Sequence, residues 1–351
     1  MNIRKLLVVT TLIVIGVFIG LRIPVVQDTL LDNVIKSTFQ TSNLPKTDAL
    51  SAIVCGSRSP LPHSSRDETC ILVIAGEDIY VVDAGAGSAN NARLWRIPFN
   101  KIKGVLLTHL HSDHIADLPG FHLATWIPQR LPTKLRVYGP QGVDEVVKGF
   151  ERAYSADYFF RNAHHGDEIA SLKVAGMLSN VVSLENPKII ETENLTVTAF
   201  RVEHDPVKPA LGYRFDYKGR SIVISGDTIP SQSLIDNSMG ADVLFHEAQA
   251  NHILQPMKEN MLKMGNEDAA KILEDITTYH TTPEEAAEVA NKANIKHLVL
   301  YHLTPAPRNA IMESIFVRGV DKIRKEWTLS DDGTVVVLPI DSTEIQIYNI
   351  N

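Results

Sequence analysis

One stretch limits what this chain can become. Residues 104 to 114 read Gly-Val-Leu-Leu-Thr-His-Leu-His-Ser-Asp-His, an apolar, strand-like run that ends abruptly in His109, His111, Asp113 and His114. Three imidazoles and a carboxylate so close together would leave polar groups unsatisfied if they simply followed a buried strand into a core. They suit a divalent metal ion instead, and the end of a strand is a natural place to collect such donors. The competing reading is a histidine-rich surface loop, which does not call for that fixed spacing.

The rest of the chain can be placed around this stretch. Short β-rich runs at 51 to 55, 69 to 75 and 78 to 83 precede the strand at 104 to 108, and another follows at 135 to 138. A helix is expected near 142 to 154. From 155 to 187 the pattern weakens, and Tyr154, Tyr158, Phe159, Phe160, Arg161, His164 and His165 crowd together. We read a loop or cap there, either shaping a substrate pocket or packed as a structural cluster. Strands resume at 188 to 193, 195 to 203, 210 to 217 and 220 to 225, the last leading to Asp227. A strand at 243 to 246, a helix announced by the capping signal Thr282 to Glu285, and a strand at 297 to 301 close the pattern. Strands that repeatedly end in metal-binding side chains, with helices between them, predict an α/β fold of the αββα sandwich type.

These motifs resemble the metallo-β-lactamase superfamily from about residue 50 to about 340. Val-Val-Asp-Ala-Gly-Ala-Gly at 81 to 87 matches its first motif, and His-x-His-x-Asp-His at 109 to 114 its second. His204 stands in the position of the lone third-motif histidine, Asp227 in that of the bridging carboxylate, and His302 in that of the last ligand. The resemblance implies that His109, His111 and His204 hold one zinc ion. Asp113, His114 and His302 would hold the other, with Asp227 shared and Asp83 orienting the metal loop. Manganese or iron could substitute for zinc in such sites. Two close metal ions would make hydroxide available near neutral pH for attack on an ester.

His246-Glu247-Ala248 and His280-Thr281-Thr282 are similar to elements of ribonuclease Z. That similarity makes His280 the candidate general acid and Glu247 its orienting partner, and both join Asp113 as expected catalytic residues. His246 is expected to be structural; His63, His122, His252 and His297 receive no role. Between Gly212 and strand 221 to 225 there is only a short Asp-Tyr-Lys-Gly turn, where the bacterial ribonuclease often carries an arm that grips tRNA. The missing arm, together with an apolar N-terminal segment and an acidic balance, argues for a small exported substrate and points to the arylsulfatase-like branch, which Cys55-Gly-Ser-Arg-Ser-Pro-Leu-Pro and Ala163-His164-His165-Gly166 also resemble. The leading expectation is therefore a hydrolase of a small-molecule sulfate or phosphate ester, with nucleic acid not expected as a partner. A ribonuclease Z-like phosphodiesterase is the alternative, and a lactonase a further one. An Asp at the bridging position is not typical of class B β-lactamases. A metal-binding protein without turnover is a reading of a different class, against which the seven intact ligands count. Superfamily members often pair, which implies a homodimer.

Composition adds a setting. The formal net charge is −7 with 44% hydrophobic and 21% charged residues, ordinary for a chain with a large core and without global attraction for nucleic acid. Arg4 and Lys5 precede an apolar run from Leu6 to Leu21 that Arg22 closes. At ~1.5 Å per residue this is roughly 24 Å of helix, read as a membrane anchor or, alternatively, a removed signal peptide. Basic residues before it would place the catalytic unit on the outer face, membrane-anchored or secreted. Residues 23 to 49 are expected to be a linker with one helix near 27 to 39, followed by a catalytic domain over 50 to 351. Cys55 and Cys70, the only cysteines, flank a turn-rich loop. In an exported protein they are expected to form a disulfide, the other reading being two reduced core thiols.

Overall fold

The apolar run that leads into the histidine cluster is a strand, Ile102–Leu106, in the interior of an eight-stranded sheet. The computed structural model describes residues 3–38, 44–45, 47–127 and 131–350. The chain divides into two units, residues 1–42 and 43–351. In chain order the second unit has β1 (Ala49–Gly56), β2 (Cys70–Ala75), β3 (Asp78–Val82), β4 (Ile102–Leu106), β5 (Leu135–Gly139) and β6 (Met177–Val181). Next come β7 (Lys188–Glu191), β8 (Leu195–His204), β9 (Val207–Tyr217), β10 (Arg220–Ile224), β11 (Val243–Gln249), β12 (His297–Thr304) and β13 (Trp327–Leu329). β14 (Thr334–Pro339) and β15 (Gln346–Asn349) complete the set. The first sheet has the order β15-β14-β1-β2-β3-β4-β5-β6, and the second β13-β12-β11-β10-β9-β8-β7.

Alternating apolar side chains make both sheets two-sided. Leu50, Val73, Tyr213, Phe215, Phe245 and Tyr301 fill the layer between the sheets. Burying each such side chain contributes about 1.5–3 kcal/mol. On the outer face of the first sheet, Ala89, Phe121 and Val143 belong to the helices Ser88–Leu94, Leu118–Trp126 and Val143–His165. On the outer face of the second, Leu234, Ile253, Ala286 and Phe316 do the same for the helices Gln232–Ser238, Asn251–Lys263, Pro283–Lys292 and Ala310–Phe316. The expected αββα layering is thus present. The expected Thr282–Glu285 capping box starts the helix Pro283–Lys292. Cys55 and Cys70 are bonded to each other across β1 and β2.

Two expectations change. Residues 155–165 are not a loop but the second half of the 23-residue helix Val143–His165. Tyr158 packs its ring edge-on to His122 and Trp126, while Phe159 and Phe160 stay exposed. Only Val143 and Val147 of this helix are fully buried, so it lacks the apolar stripe that announces a helix in sequence. The reading of residues 6–21 as one straight span also changes, whereas the bent pair Leu7–Gly20 and Pro24–Lys36 together has the length and composition of a span. The apolar run lies in the helix Ile3–Gly20, and among the described residues no single helix is long and apolar enough to cross a membrane. The axis then turns by 78° into the helix Pro24–Thr38, which takes the place of the one expected near 27 to 39. Of the expected linker, residues 39–43 and 46 lie outside the described residues.

Candidate metal centre

Six strand ends converge on one site. β3 runs into Asp83, β4 into the loop that carries His109 to His114, and β8 ends in His204. β10 leads into Asp227, β11 carries Glu247, and β12 carries His302. Turns at these ends are tight. Gly226 sits at φ +63°, where a Cβ would lie 2.6 Å from the Leu211 carbonyl oxygen, so Asp227 can follow its strand only through a glycine. Asp83 and His302 also adopt positive φ, 58° and 48°, a conformation non-glycine residues hold only where the surroundings demand it. Tyr213 in the middle layer donates its hydroxyl to the Leu107 carbonyl at 2.7 Å, and the Gly226 N–H donates to the Tyr301 hydroxyl at 3.1 Å. The metal loop and the Asp227 turn are therefore pinned to the same packed core.

The donor atoms form overlapping groups within 4.8 Å: His109, His111 and His204; Asp113, His114 and His302; and His109, His114 and Asp227. Asp227 Oδ2 faces both halves, 3.8 Å from His109 Nε2, 3.4 Å from His114 Nε2, 4.0 Å from His204 Nε2 and 3.4 Å from His302 Nε2. His109 Nε2 and His111 Nδ1 approach to 2.9 Å, and His114 Nε2 and Asp227 Oδ1 are buried with no hydrogen-bond partner. Imidazole nitrogens pointed at one another, beside an orphaned buried carboxylate oxygen, fit a pair of cations.

Electrostatics say the same. Burial, with His114 next in effect, holds His109 well below the usual histidine range. Burial also lowers His111 and His204. His114 goes the other way: burial opposes charge, yet Asp227, Asp83 and Asp113 raise it well above the usual value. Burial likewise works against the Asp227 carboxylate, but His302, His114 and His109 hold it well below the carboxylate range. Asp113 is held at about 2 against burial by His114 and His302.

The supporting partners are specific. Asp83 Oδ2 is 2.9 Å from His114 Nδ1, and the same carboxylate accepts from the Thr108 N–H and hydroxyl, each at 2.8 Å. This turns the His114 Nε2 edge toward the cluster. His204 Nδ1 donates to the Tyr279 carbonyl at 3.0 Å and is aimed in the same way. Glu247 Oε1 accepts from the Thr228 N–H at 3.1 Å and the Thr281 N–H at 3.2 Å, and lies 2.9 Å from His280 Nδ1. Burial opposes a charge on His280, but Glu247 raises it to about 9. His246 is buried and donates to the Glu247 carbonyl at 2.8 Å, as a structural residue would.

All ten expected site residues, Asp83 included, are therefore brought together. Sequence reading missed Thr108, Thr228, Tyr279 and Thr281. All four act at least in part through backbone atoms, for which side-chain identity carries no signal; Thr108, which also uses its hydroxyl, could have been noticed as the residue preceding His109. His164 and His165 lie at the end of the long helix and belong to none of these donor groups.

Residues 79–303 match the beta-lactamase superfamily domain. Ribonuclease Z of Mycolicibacterium gilvum is 32% identical over 252 residues, 71% of this chain and 82% of that protein. Ribonuclease Z of Mycobacterium bovis is 32% identical over 259 residues, 73% and 87% of the two chains. The crystal structure of the short form of human tRNase Z superposes with a TM-score of 0.59 at 20% identity, covering 83% of this chain and 100% of that one. The metallo-beta-lactamase fold protein YhfI from Bacillus subtilis gives 0.59 at 18% identity, covering 82% and 98%. These two structures speak for the fold. The relatives by sequence carry the name ribonuclease Z, so the expected arylsulfatase-like placement, which rested on a missing arm, the apolar N-terminal segment, the acidic balance and two short loop matches, finds no support in them.

Proposed function

The chain belongs to the beta-lactamase superfamily, in its ribonuclease Z-like branch, and from that premise we propose that it is a metal-dependent phosphodiesterase that cleaves RNA. Hydrolysis of ester bonds is common ground with the expectation from sequence; the substrate class is not. The expectation that nucleic acid is no partner gives way to the names of the 32%-identical relatives. The observation that carries the reading is the buried His280–Glu247 pair, 2.9 Å apart, opening onto the same donors as the metal cluster.

His109, His111 and His204 would hold one ion and Asp113, His114 and His302 the other, with Asp227 between them. Imidazole-rich sites with carboxylates suit zinc, with manganese or iron as alternatives. When bound, such a pair supplies a nucleophile near neutral pH and offsets charge on the phosphate. The protein's own contribution is orientation and proton delivery. Asp83 and Thr108 fix the His114 ring, and the Tyr279 carbonyl fixes His204. Glu247, held by two backbone N–H groups, keeps His280 protonated and in place to give its proton to the leaving oxygen. The Lys218–Gly219 turn between β9 and β10 leaves no room for an arm, so RNA is held by surfaces beside the metal centre.

For location, we propose attachment to a membrane with the catalytic unit outside. The apolar side chains of Ile3–Gly20 that the structure describes are exposed on every face, and the Cys55–Cys70 disulfide suits an oxidising compartment. Membrane fractionation followed by protease treatment of intact cells tests this; protection of the catalytic unit would overturn it.

The functional test compares bis(p-nitrophenyl) phosphate, an oligoribonucleotide, an aryl sulfate and a lactone as substrates of the zinc-loaded chain, with Asp227→Ala as control. We expect phosphodiester and RNA hydrolysis that the control lacks. Turnover confined to the sulfate ester or the lactone would overturn the reading.

A further inference from the structure

Beyond the ends of β11 and β12, on the side where those strands deliver Glu247 and His302, lies a cavity of about 460 Å³ that the mechanism does not use. Its walls are apolar: Leu61, Pro62, Ile253, Met257, Pro305 and Met312. Arg308 and Asn309 supply the polar lining. The Asn309 side chain is engaged, accepting from the Met312 N–H at 3.0 Å to cap a helix. Arg308 is exposed and makes no hydrogen bond or ion pair among the described residues. The cation nearest the groove is therefore free.

The backbone ties this groove to the metal centre. Pro305 follows His302 by three residues, and the Leu303 N–H donates to the Ser57 carbonyl at 2.9 Å while the Ser59 N–H donates to the Leu303 carbonyl at 3.3 Å. The loop that carries Leu61 and Pro62 is thus laid along the segment just after the last ligand. On the other wall, the Ala250 N–H donates to the Thr304 carbonyl at 2.8 Å and the Ile253 N–H to the Ala250 carbonyl at 2.8 Å.

An apolar slot with one unpaired guanidinium at its rim, next to a phosphodiester-cleaving centre, selects for a flat ring carrying an anion. We propose that this groove binds one nucleotide of the RNA strand adjoining the scissile phosphate, its base between Pro62 and Pro305 and its phosphate on Arg308. This rests on the ribonuclease reading above. The chain is acidic overall, with net charge −7, and strand binding therefore depends on local cations. A cavity of this size lies in the range that encloses a nucleotide-sized ligand. Base stacking on flat apolar side chains tolerates any base, so the groove adds affinity without reading sequence.

Two variants of the full-length, zinc-loaded chain test it: Arg308→Gln, which removes the charge, and Ala306→Trp, which fills the slot from a half-buried lining position. Each should raise KM for a single-stranded oligoribonucleotide about tenfold with kcat retained. Hydrolysis of bis(p-nitrophenyl) phosphate, too small to reach the groove, should stay at the wild-type rate and certifies folding and metal content. Anisotropy of a fluorescein-labelled oligoribonucleotide on the metal-free protein gives a readout free of catalysis. There Arg308→Gln should lower the slope of log Kd against log salt by about 0.7. Wild-type affinity, slope and KM in both variants would overturn the groove. A wild-type chain that never cleaves RNA overturns the function reading instead.

Discussion

His280 Nδ1 lies 2.9 Å from Glu247 Oε1, and the Glu247 side chain is wholly buried. The carboxylate oxygen that meets His280 also accepts two backbone N–H groups, from Thr228 and Thr281, so the imidazole is bound to a group that cannot move away. A protonated histidine held in this way is a proton donor waiting for a leaving group.

Removing the donor should therefore cost catalysis and spare metal. His280→Ala is expected to lower kcat for RNA by about 10²–10⁴-fold with unchanged metal content. Because Glu247 raises His280 to about 9, activity should fall as pH rises through a limb at or below that value, bound cations pushing it lower. Glu247→Gln should move the limb further down. A pH–rate profile whose alkaline limb ignores Glu247→Gln would remove His280 from the mechanism.

Metal binding should be linked to protons through His114. In the metal-free protein Asp227, Asp83 and Asp113 keep this imidazole charged well above the usual range, despite burial. A ligand nitrogen must be neutral, so each chain should release protons when it takes up zinc near pH 7. Calorimetric titrations in buffers of differing ionisation enthalpy measure that release. In Asp227→Ala the main charge holding His114 protonated is gone, so release should shrink, metal content fall, and hydrolysis drop by about 10³-fold. Unchanged proton release in the variant would refute this account of the site.

What the sequence made legible is the part of the site written in side chains. His109, Asp227 and His302 each follow a short apolar run, and such a run ends at a strand terminus whatever the rest of the chain does. Other features left no mark. Tyr279 aims His204 through a carbonyl every residue possesses. The helix through residues 155–165 buries too little to show a 3.6-residue period. The groove at Arg308 is assembled from residues near 61, 253 and 305, remote in sequence. The arylsulfatase-like placement finds no support in the relatives for a related reason: short loop matches say little about which ester enters a site common to many hydrolases.

The Cys55–Cys70 bond closes a loop at whose far end Leu61 and Pro62 wall the groove. Both cysteines are fully buried on paired strands, so the link costs no exposed surface. Replacing both by Ala should lower stability by about 3 kcal/mol for a loop of this length. Urea unfolding with and without reductant checks it: reductant should weaken the wild type toward the variant and leave the variant unmoved. Equal stability of all four samples would show that the bond contributes nothing.

His122 should contribute to acid stability independently of metal. It is buried beneath Trp126, stacked at 6.1 Å and 11°, and accepts from the Gly176 N–H at 3.3 Å. Burial, helped by Lys134, lowers it to about 4 from an ordinary value of 6.5. As pH falls from 6.5 toward 4, the unfolded chain takes up a proton here that the folded chain refuses. The stabilisation is thus fully present above 6.5 and declines through that window, by roughly 3 kcal/mol. His297, held at about 4 by burial and Arg324, adds a loss in the same direction, reduced by solvent screening because the ring is only half-buried. Urea unfolding of the chelator-treated protein at pH 7.5 and pH 4.5 should show this decline, and His122→Phe should remove the share that belongs to His122, the lowered metal-site histidines keeping theirs. If the variant loses as much stability on acidification as the wild type, the buried imidazole is not the cause.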